Sequence, residues 1–470
     1  MYGQEKFNKL VEKYPHPHVH FSRRPDFTRR RFFEIAGAGV TASFLASKAQ
    51  AAGQSVVQYP VAMKNTAKNV IFILLAGAPS HTDLFDYKQI ADQPASFAPA
   101  KINGVQLPTG LLPKLSTHFQ NNNLAIVRSL NSWGLVHTLN QTWTQIGRNP
   151  GGVLGNISPN IGSVVAVEKG DPKSLFPAFL ALNSQNCAGP GYFSAKYAPF
   201  KVTPAAAGLR NTKNPDDSTG TGRFASRLNL LHSLDDNLRG NPQANIPSPM
   251  GSEMEDYNTF YQAASGMMYN ATVTKAFSFT AAENVAYGST GFGQACLTAR
   301  KVLEANQGTR FIQITLGGWD MHVGIYTPAQ MPNMGKQLDE GLGQLITDLK
   351  ADGLFDSTLI VVAGEFGRTV GALTASAGRD HFAQQFAVFA GGGVAGGRAI
   401  GETDATGANV VDPGWSRQRV VRPEDIEATI YSALGVNWTT IRQDDPLNRG
   451  YYYVPNSDSD LYGPINELWG

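Results

Sequence analysis

The chain has 470 residues, with 39 Lys/Arg against 37 Asp/Glu for a net charge of +2, and only two cysteines. That length allows a large hydrophobic core and, on size alone, two or three domains. The near-neutral balance excludes a protein built on phosphate neutralisation, so no nucleic-acid partner is expected. Two cysteines exclude a disulfide-stapled mini-protein.

Residues 1–51 read as a twin-arginine signal peptide. Arg29 and Arg30 precede an uncharged Gly/Ala-rich stretch, residues 35–47, and then Ala49-Gln50-Ala51, a small-residue cleavage site. The apolar stretch is shorter than the ~20 residues a bilayer crossing needs, so no stable membrane span is expected. The alternating His16, His18 and His20 would leave with the signal. The reading implies a twin-arginine translocase as export partner and a periplasmic or secreted destination. Without residues 1–51 the net charge becomes −3. Cys187 and Cys296 both fall in the exported part, where one disulfide between them is expected, two buried thiols being the alternative.

Residues 52–470 carry the pattern of an α/β fold, a mostly parallel sheet covered by helices on both faces. The stretch 69–76, Asn-Val-Ile-Phe-Ile-Leu-Leu-Ala, is continuously apolar and β-branched and runs into Gly77-Ala78-Pro79. Similar runs occupy 124–127, 311–316, 358–363 and 386–390. Such runs suit strands buried on both faces of a parallel sheet. The region at about 201–307 opens on a Pro/Gly/Asn-rich loop and continues with helical patterns at 224–238, 253–268 and 294–305, which predicts a mainly helical insertion. Met334, Leu338, Leu342, Leu345, Ile346 and Leu349 then recur at helical spacing between the third and fourth runs. The resulting strand-helix-strand unit places the loops after Leu316 and Ala363 at one carboxyl edge. Pro423-Glu424-Asp425 opens a last helix that Gly435 closes.

Chemistry-bearing residues follow these runs. Gly317-Gly318-Trp319-Asp320-Met321-His322 sets a carboxylate and an imidazole two residues apart on a flexible loop. Gly364-Glu365-Phe366-Gly367-Arg368 ends the next run, and Gly378-Arg379-Asp380-His381 lies a short loop later. Carboxylates with imidazoles suit zinc, manganese or iron better than calcium. The first run ends in Ser80-His81-Thr82-Asp83, where Asp83 is a further candidate ligand and also a plausible capping residue. His137 and nearby hydroxyls follow the second run, where a nucleophile or proton-transfer group would fit. Gly391-Gly392-Gly393 lacks the Gly-Lys-Ser/Thr of a phosphate loop and reads as a turn.

Together the twin-arginine leader, residues 77–86, Trp319-Asp320-Met321-His322, residues 365–369, Gly378-Arg379-Asp380-His381 and Gly401-Glu402-Thr403-Asp404 resemble the bacterial family called domain of unknown function 1501. The resemblance covers nearly all of 52–470. It implies the alkaline-phosphatase-like and sulfatase-like superfamily, with Asp320, His322 and His381 resembling metal ligands. Glu365 and Phe366 stand where the superfamily has Asp-His-Gly, and its Asp directly after the first strand is replaced by Ala76-Gly77-Ala78. Phe366 cannot ligate, so a two-metal clamp is not expected.

The expectation is an exported hydrolase-like protein acting on a phosphate or sulfate ester, as a small anionic ester or a polymer. Asp320, His322, Glu365, His381 and Asp83 would be metal ligands, with Arg368, Arg379 and His137 as catalytic groups. The alternative is a non-catalytic envelope or surface protein that keeps the fold. A third reading, a polymer-binding module, rests on Trp133, Trp143, Trp319 and Trp415.

Overall fold

The computed structural model describes residues 56–213, 222–240 and 246–470. The twin-arginine segment, residues 1–51, lies outside the described residues. Eight strands form the central sheet: β1 (Asn69–Ala76), β2 (Leu124–Asn131), β3 (Phe179–Leu182), β4 (Phe200–Val202), β5 (Phe311–Gly317), β6 (Thr358–Gly364), β7 (Gln384–Ala390) and β8 (Arg398–Ile400). Their spatial order is β8-β2-β7-β6-β1-β5-β3-β4. β1 pairs in parallel with β5 and β6, β3 with β4 and β5, and β2 with β8. β7 alone in this sheet runs antiparallel to both its neighbours, β2 and β6.

Alternation on β1 explains why the run after Asn69 is apolar throughout. Ile71, Ile73 and Leu75 face one core, while Val70, Phe72 and Leu74 face the other. Each fully buried side chain of this size contributes about 1.5–3 kcal/mol. A polar residue anywhere along β1 would therefore be placed in one core or the other.

Helices cover both faces. The chain contributes α1 (Pro113–Gln120), α2 (His137–Ile146), α3 (Ile161–Lys169), α4 (Gly222–Arg239), α5 (Ser252–Met267), α6 (Ala271–Phe277), α7 (Ala281–Ala286), α8 (Gly291–Ala305), α9 (Met331–Ala351) and α10 (Pro423–Ala433). Buried residues of α1, α8 and α9 join the first core, and those of α3 and α10 join the second. α9 begins with a proline in its first turn, and the chain leaves it through Gly353 at φ +69°. α4 to α8 all lie between β4 and β5. Among the described residues no helix is long and apolar enough to cross a membrane.

The two cysteines correct one expectation. Both thiols are free and buried. Cys296, on α8, packs in the first core, and Cys187, in the loop after β3, packs in the second. The sheet lies between them, so no disulfide forms.

Candidate metal centre

The carboxyl ends of β1, β2, β5 and β6 share one edge of the sheet. Because β7 runs the other way, its amino-terminal end arrives at that same edge. This brings His381, just before β7, beside the loops after the other strands. A short antiparallel bridge, His381 with Arg368 and Phe382 with Gly367, fastens the segment there.

Four side chains converge at this edge. His137, at the start of α2, Asp320 and His322 from the loop after β5, and His381 can each present one ligand atom, all within 4.8 Å of one another. The Nε2 atom of His381 lies 3.0 Å from Nε2 of His137 and 3.0 Å from Nε2 of His322. Asp320 Oδ1 stands 3.0 Å from His322 Nε2, 3.3 Å from His137 Nε2 and 3.8 Å from His381 Nε2. The Asp320 side chain is 51% exposed, so the cluster opens to solvent.

Each imidazole is held from behind. His137 Nδ1 is 2.7 Å from Glu365 Oε1, His322 Nδ1 is 2.8 Å from Asp380 Oδ1, and His381 Nδ1 is 2.8 Å from the Leu135 carbonyl. Every one of these partners is an acceptor, so each Nδ1 carries a proton and each Nε2 is left facing the cluster, where it offers a lone pair whenever the ring is neutral. Outer acceptors of this kind fix tautomer and ring orientation in metal sites. Three such imidazoles and a carboxylate fit a single zinc, manganese or iron ion.

The electrostatics agree with that donor set. The Glu365 hydrogen bond raises the pKa of His137 above its ordinary value, against the opposing effect of burial. Negative charge behind this ring favours a cation at its front, whether proton or metal. Burial lowers the pKa of His381; the Leu135 carbonyl opposes this, while Arg368 and the two neighbouring imidazoles add to it. Burial works against ionised Asp320, but the hydrogen bond and charge of Arg368 hold its carboxyl below the usual carboxylate range.

Glu365, expected as a ligand, stands behind His137 instead. Its Oε1 also accepts from Gly77 N at 2.8 Å and Gln141 Nε2 at 3.1 Å, so that oxygen is fully occupied. Gly77 has φ +108°, and a Cβ there would meet Asp320 N at 2.6 Å. The turn after β1 passes too close to the Asp320 loop to carry a side chain at Gly77. Phe366 packs against His137 and His381, with ring centroids 4.8 and 4.7 Å away. An apolar wall therefore occupies that side of the cluster.

His137, expected as a catalytic group, belongs to the donor cluster. Asp83 and Arg379, expected as ligand and catalytic group, are fully buried and bind each other, Arg379 Nε to Asp83 Oδ2 at 2.9 Å. Asp83 also accepts from Ser80 Oγ at 2.6 Å, Gln93 Nε2 at 2.7 Å and the Tyr326 hydroxyl at 2.7 Å. With four donors it has nothing left for a metal, and the Ser80 hydroxyl is committed to it. Arg368 is buried at the centre. It donates to the carbonyls of Gly77, Ala78 and Arg379, to Asp320 Oδ1 at 2.5 Å and to His322 Nε2 at 3.1 Å. Sequence reasoning passed over Gln141, Leu135 and Asp380 as supports. Only Asp380, adjacent to His381 in a dense polar motif, left a signal.

Of Trp133, Trp143, Trp319 and Trp415, only Trp133 is strongly exposed, at 44%, and it stacks on Trp143 with ring centroids 6.2 Å apart. Trp319 and Trp415 are buried, and the Trp133 and Trp143 indoles both donate to the buried Glu424.

A family model described as a protein of unknown function (DUF1501) matches residues 67–445. A search of curated protein sequences returns no match. Several solved structures are similar in outline. The lipoteichoic acid synthase LtaP from Listeria monocytogenes is 13% identical, over 82% of this chain and 76% of that one, with a TM-score of 0.35. A protein in the alkaline phosphatase superfamily from Vibrio parahaemolyticus is 11% identical over 81% and 69%, with a TM-score of 0.38. PsFucS1 sulfatase from Pseudoalteromonas sp. is 11% identical over 87% and 72%, also with a TM-score of 0.38.

Proposed function

We propose that this chain, which belongs to the DUF1501 family, is a one-metal hydrolase-like protein acting on a phosphate or sulfate ester. One observation carries the reading: three imidazoles, each tied through Nδ1 to an acceptor, turn Nε2 toward one another and toward Asp320. His137, Asp320, His322 and His381 would hold the ion. The chemistry a divalent zinc, manganese or iron ion supplies there is Lewis-acid polarisation of an ester oxygen.

The chain's own residues supply the rest. Arg368 directs one N–H at Asp320 and one at His322. When a cation takes those two acceptors, both N–H groups are free to receive the anionic part of an ester. The remaining Arg368 bonds keep the guanidinium in place and tie the turn after β1 to the cluster. Glu365 keeps His137 aligned and offsets the positive charge gathered at this edge. Ser80 donates to Asp83, a carboxylate already ion-paired with Arg379 and so a poor base, and the reading therefore assigns no side-chain nucleophile and uses water as the attacking group.

The reading includes export. Arg29-Arg30 and Ala49-Gln50-Ala51 motivate cleavage after Ala51 and a periplasmic or secreted protein. The second reading, a non-catalytic binding protein, is favoured by Phe366, which fills the place of a further ligand.

Elemental analysis of protein purified from its native compartment, with turnover of aryl phosphate and aryl sulfate esters, tests the proposal. One equivalent of metal, and loss of both metal and turnover in His322→Ala, is expected. Metal bound without turnover of either ester class would leave the binding-protein reading. A protein that takes up no zinc, manganese or iron would overturn the site itself.

A further inference from the structure

Helix α4 presents a leucine stripe to solvent. Leu230, Leu234 and Leu238 recur at four-residue spacing, which places them on one stripe, and they are 61%, 73% and 41% exposed. On its inward side Phe224, Leu228 and Leu231 are half-buried, Phe224 against the Tyr269 ring, and polar bonds anchor the carboxyl end. Arg239 makes two 2.6 Å bonds to Asp235 and a third to Asn258 of α5, and its guanidinium lies over the rings of Tyr257 and Tyr261. Ser248 Oγ donates to the Leu238 carbonyl at 2.6 Å, and Asn258 Nδ2 to the Arg239 carbonyl at 3.0 Å. These bonds fix the rotation of α4 about its axis, so Leu230, Leu234 and Leu238 cannot turn inward.

The patch extends beyond the helix. Ile246 and Met250, in the segment leading to α5, are 57% and 51% exposed. Exposed apolar side chains gathered in this way mark an interaction surface.

Charge along the stripe indicates what covers it. At 3.6 residues per turn, Arg223 and Arg227 continue the leucine line toward the amino-terminal end of α4, and both are exposed. At the other end, the Ser248 and Asn258 bonds bring Leu238 beside the start of α5, whose first turn carries Glu253 and Glu255. The stripe is therefore basic at one end, apolar in the middle and acidic at the other. A surface of that layout is complementary to itself when inverted by a two-fold axis.

We propose that this chain forms a two-fold dimer through α4, with the α4 helices antiparallel and Arg223 and Arg227 of each copy over the acidic first turn of α5 in its partner. The leucine stripes meet at the axis, and the helix dipoles oppose each other favourably. The surface lies on α4 and the start of α5, apart from the residues of the metal centre, so the dimer stands independently of the ester-hydrolase reading.

Light scattering coupled to size exclusion, on the exported chain at tens of micromolar, tests this. The wild type is expected at twice the chain mass and Leu234→Glu at the chain mass, with far-UV circular dichroism and metal content unchanged. Arg227→Glu and Glu255→Arg should each weaken the homodimer at least tenfold in Kd, and mixing the two variants should restore a heterodimer. A monomeric wild type, or a Leu234→Glu variant that remains dimeric, would overturn the proposal. Failure of the mixed variants to pair would overturn the antiparallel arrangement.

Discussion

Removing the acceptor behind His137 should weaken metal binding without touching a ligand. Glu365 Oε1 receives three donors, His137 Nδ1 at 2.7 Å, Gly77 N at 2.8 Å and Gln141 Nε2 at 3.1 Å. Glu365→Gln keeps an acceptor oxygen but loses the charge that favours a cation at the front of the ring. Glu365→Ala loses the acceptor as well, leaves three donors without it, and frees the ring to rotate. Loss of an outer-shell partner of a metal-bound histidine costs about 10- to 100-fold in affinity, or about 1.4–2.7 kcal/mol. The glutamine variant should sit near the lower figure and the alanine variant near the upper. Competition against a chelator of known affinity, with bound metal counted by elemental analysis, measures both. His322→Ala, which deletes a ligand, provides the scale for complete loss. If both Glu365 variants hold metal as tightly as wild type while His322→Ala does not, Glu365 has no orienting role and the layered description of this site is wrong.

Three further predictions concern the frame around the site. Asp83→Ala leaves the fully buried Arg379 without its carboxylate and should cost about 3–5 kcal/mol in urea unfolding, with metal content per folded molecule unchanged; a loss of metal at intact stability would return Asp83 to the ligand set. Burial pushes the Glu427 carboxyl up to about 8, with Arg148 and the Tyr431 hydroxyl opposing, against an ordinary value of 4.5. The folded state thus holds a proton that the unfolded state has released, and stability should fall as pH rises from 4.5 toward 8. Glu427→Gln should remove that slope and exceed wild type by on the order of 5 kcal/mol at alkaline pH, so parallel pH profiles of the two proteins would contradict it. Finally, burial raises the pKa of both thiols, Cys187 to about 12; alkylation should be slow in the native protein and complete at both sites after unfolding without reductant, and a Cys187–Cys296 disulfide peptide would contradict the two-core placement.

How far the sequence exposed this structure depends on which signals carry direction. The long runs around β1, β5 and β6 are legible because both faces of these strands are buried, which leaves no polar alternation. α9 is legible because one face meets the core at helical spacing. β3, β4 and β8 are only three or four residues long, too short for any period to show. The run 386–390 marks a strand but not its orientation, since an apolar run reads the same in either direction. That orientation matters for the site: an antiparallel β7 is what delivers His381 to the edge from its amino-terminal end.

Donor chemistry was legible in the same limited sense. Asp320, His322 and His381 stand in compact polar motifs, and they are brought together. Which acidic group touches a metal and which stands behind an imidazole depends on differences of about one side-chain length, and loop sequence does not encode these. Glu365 and Asp83 show the two ways this goes wrong. Glu365 is near enough to matter but gives Oε1 to His137, Gly77 and Gln141. Asp83 is surrounded by donors before any ion could reach it.

The wiring of the cluster explains why so many segments converge on so few atoms. His137, after β2, is oriented by Glu365, after β6. His322, after β5, is oriented by Asp380, before β7. His381, before β7, is oriented by the Leu135 carbonyl, after β2. No segment orients its own imidazole, so no loop can form its part of the site alone. The donor geometry is thereby tied to the register of strands from β2 across to β5. Arg368 adds the turn after β1 to the same network through Gly77 and Ala78. A site assembled this way is preorganised by the sheet itself, with its rings already aimed at the point where the proposed cation would sit.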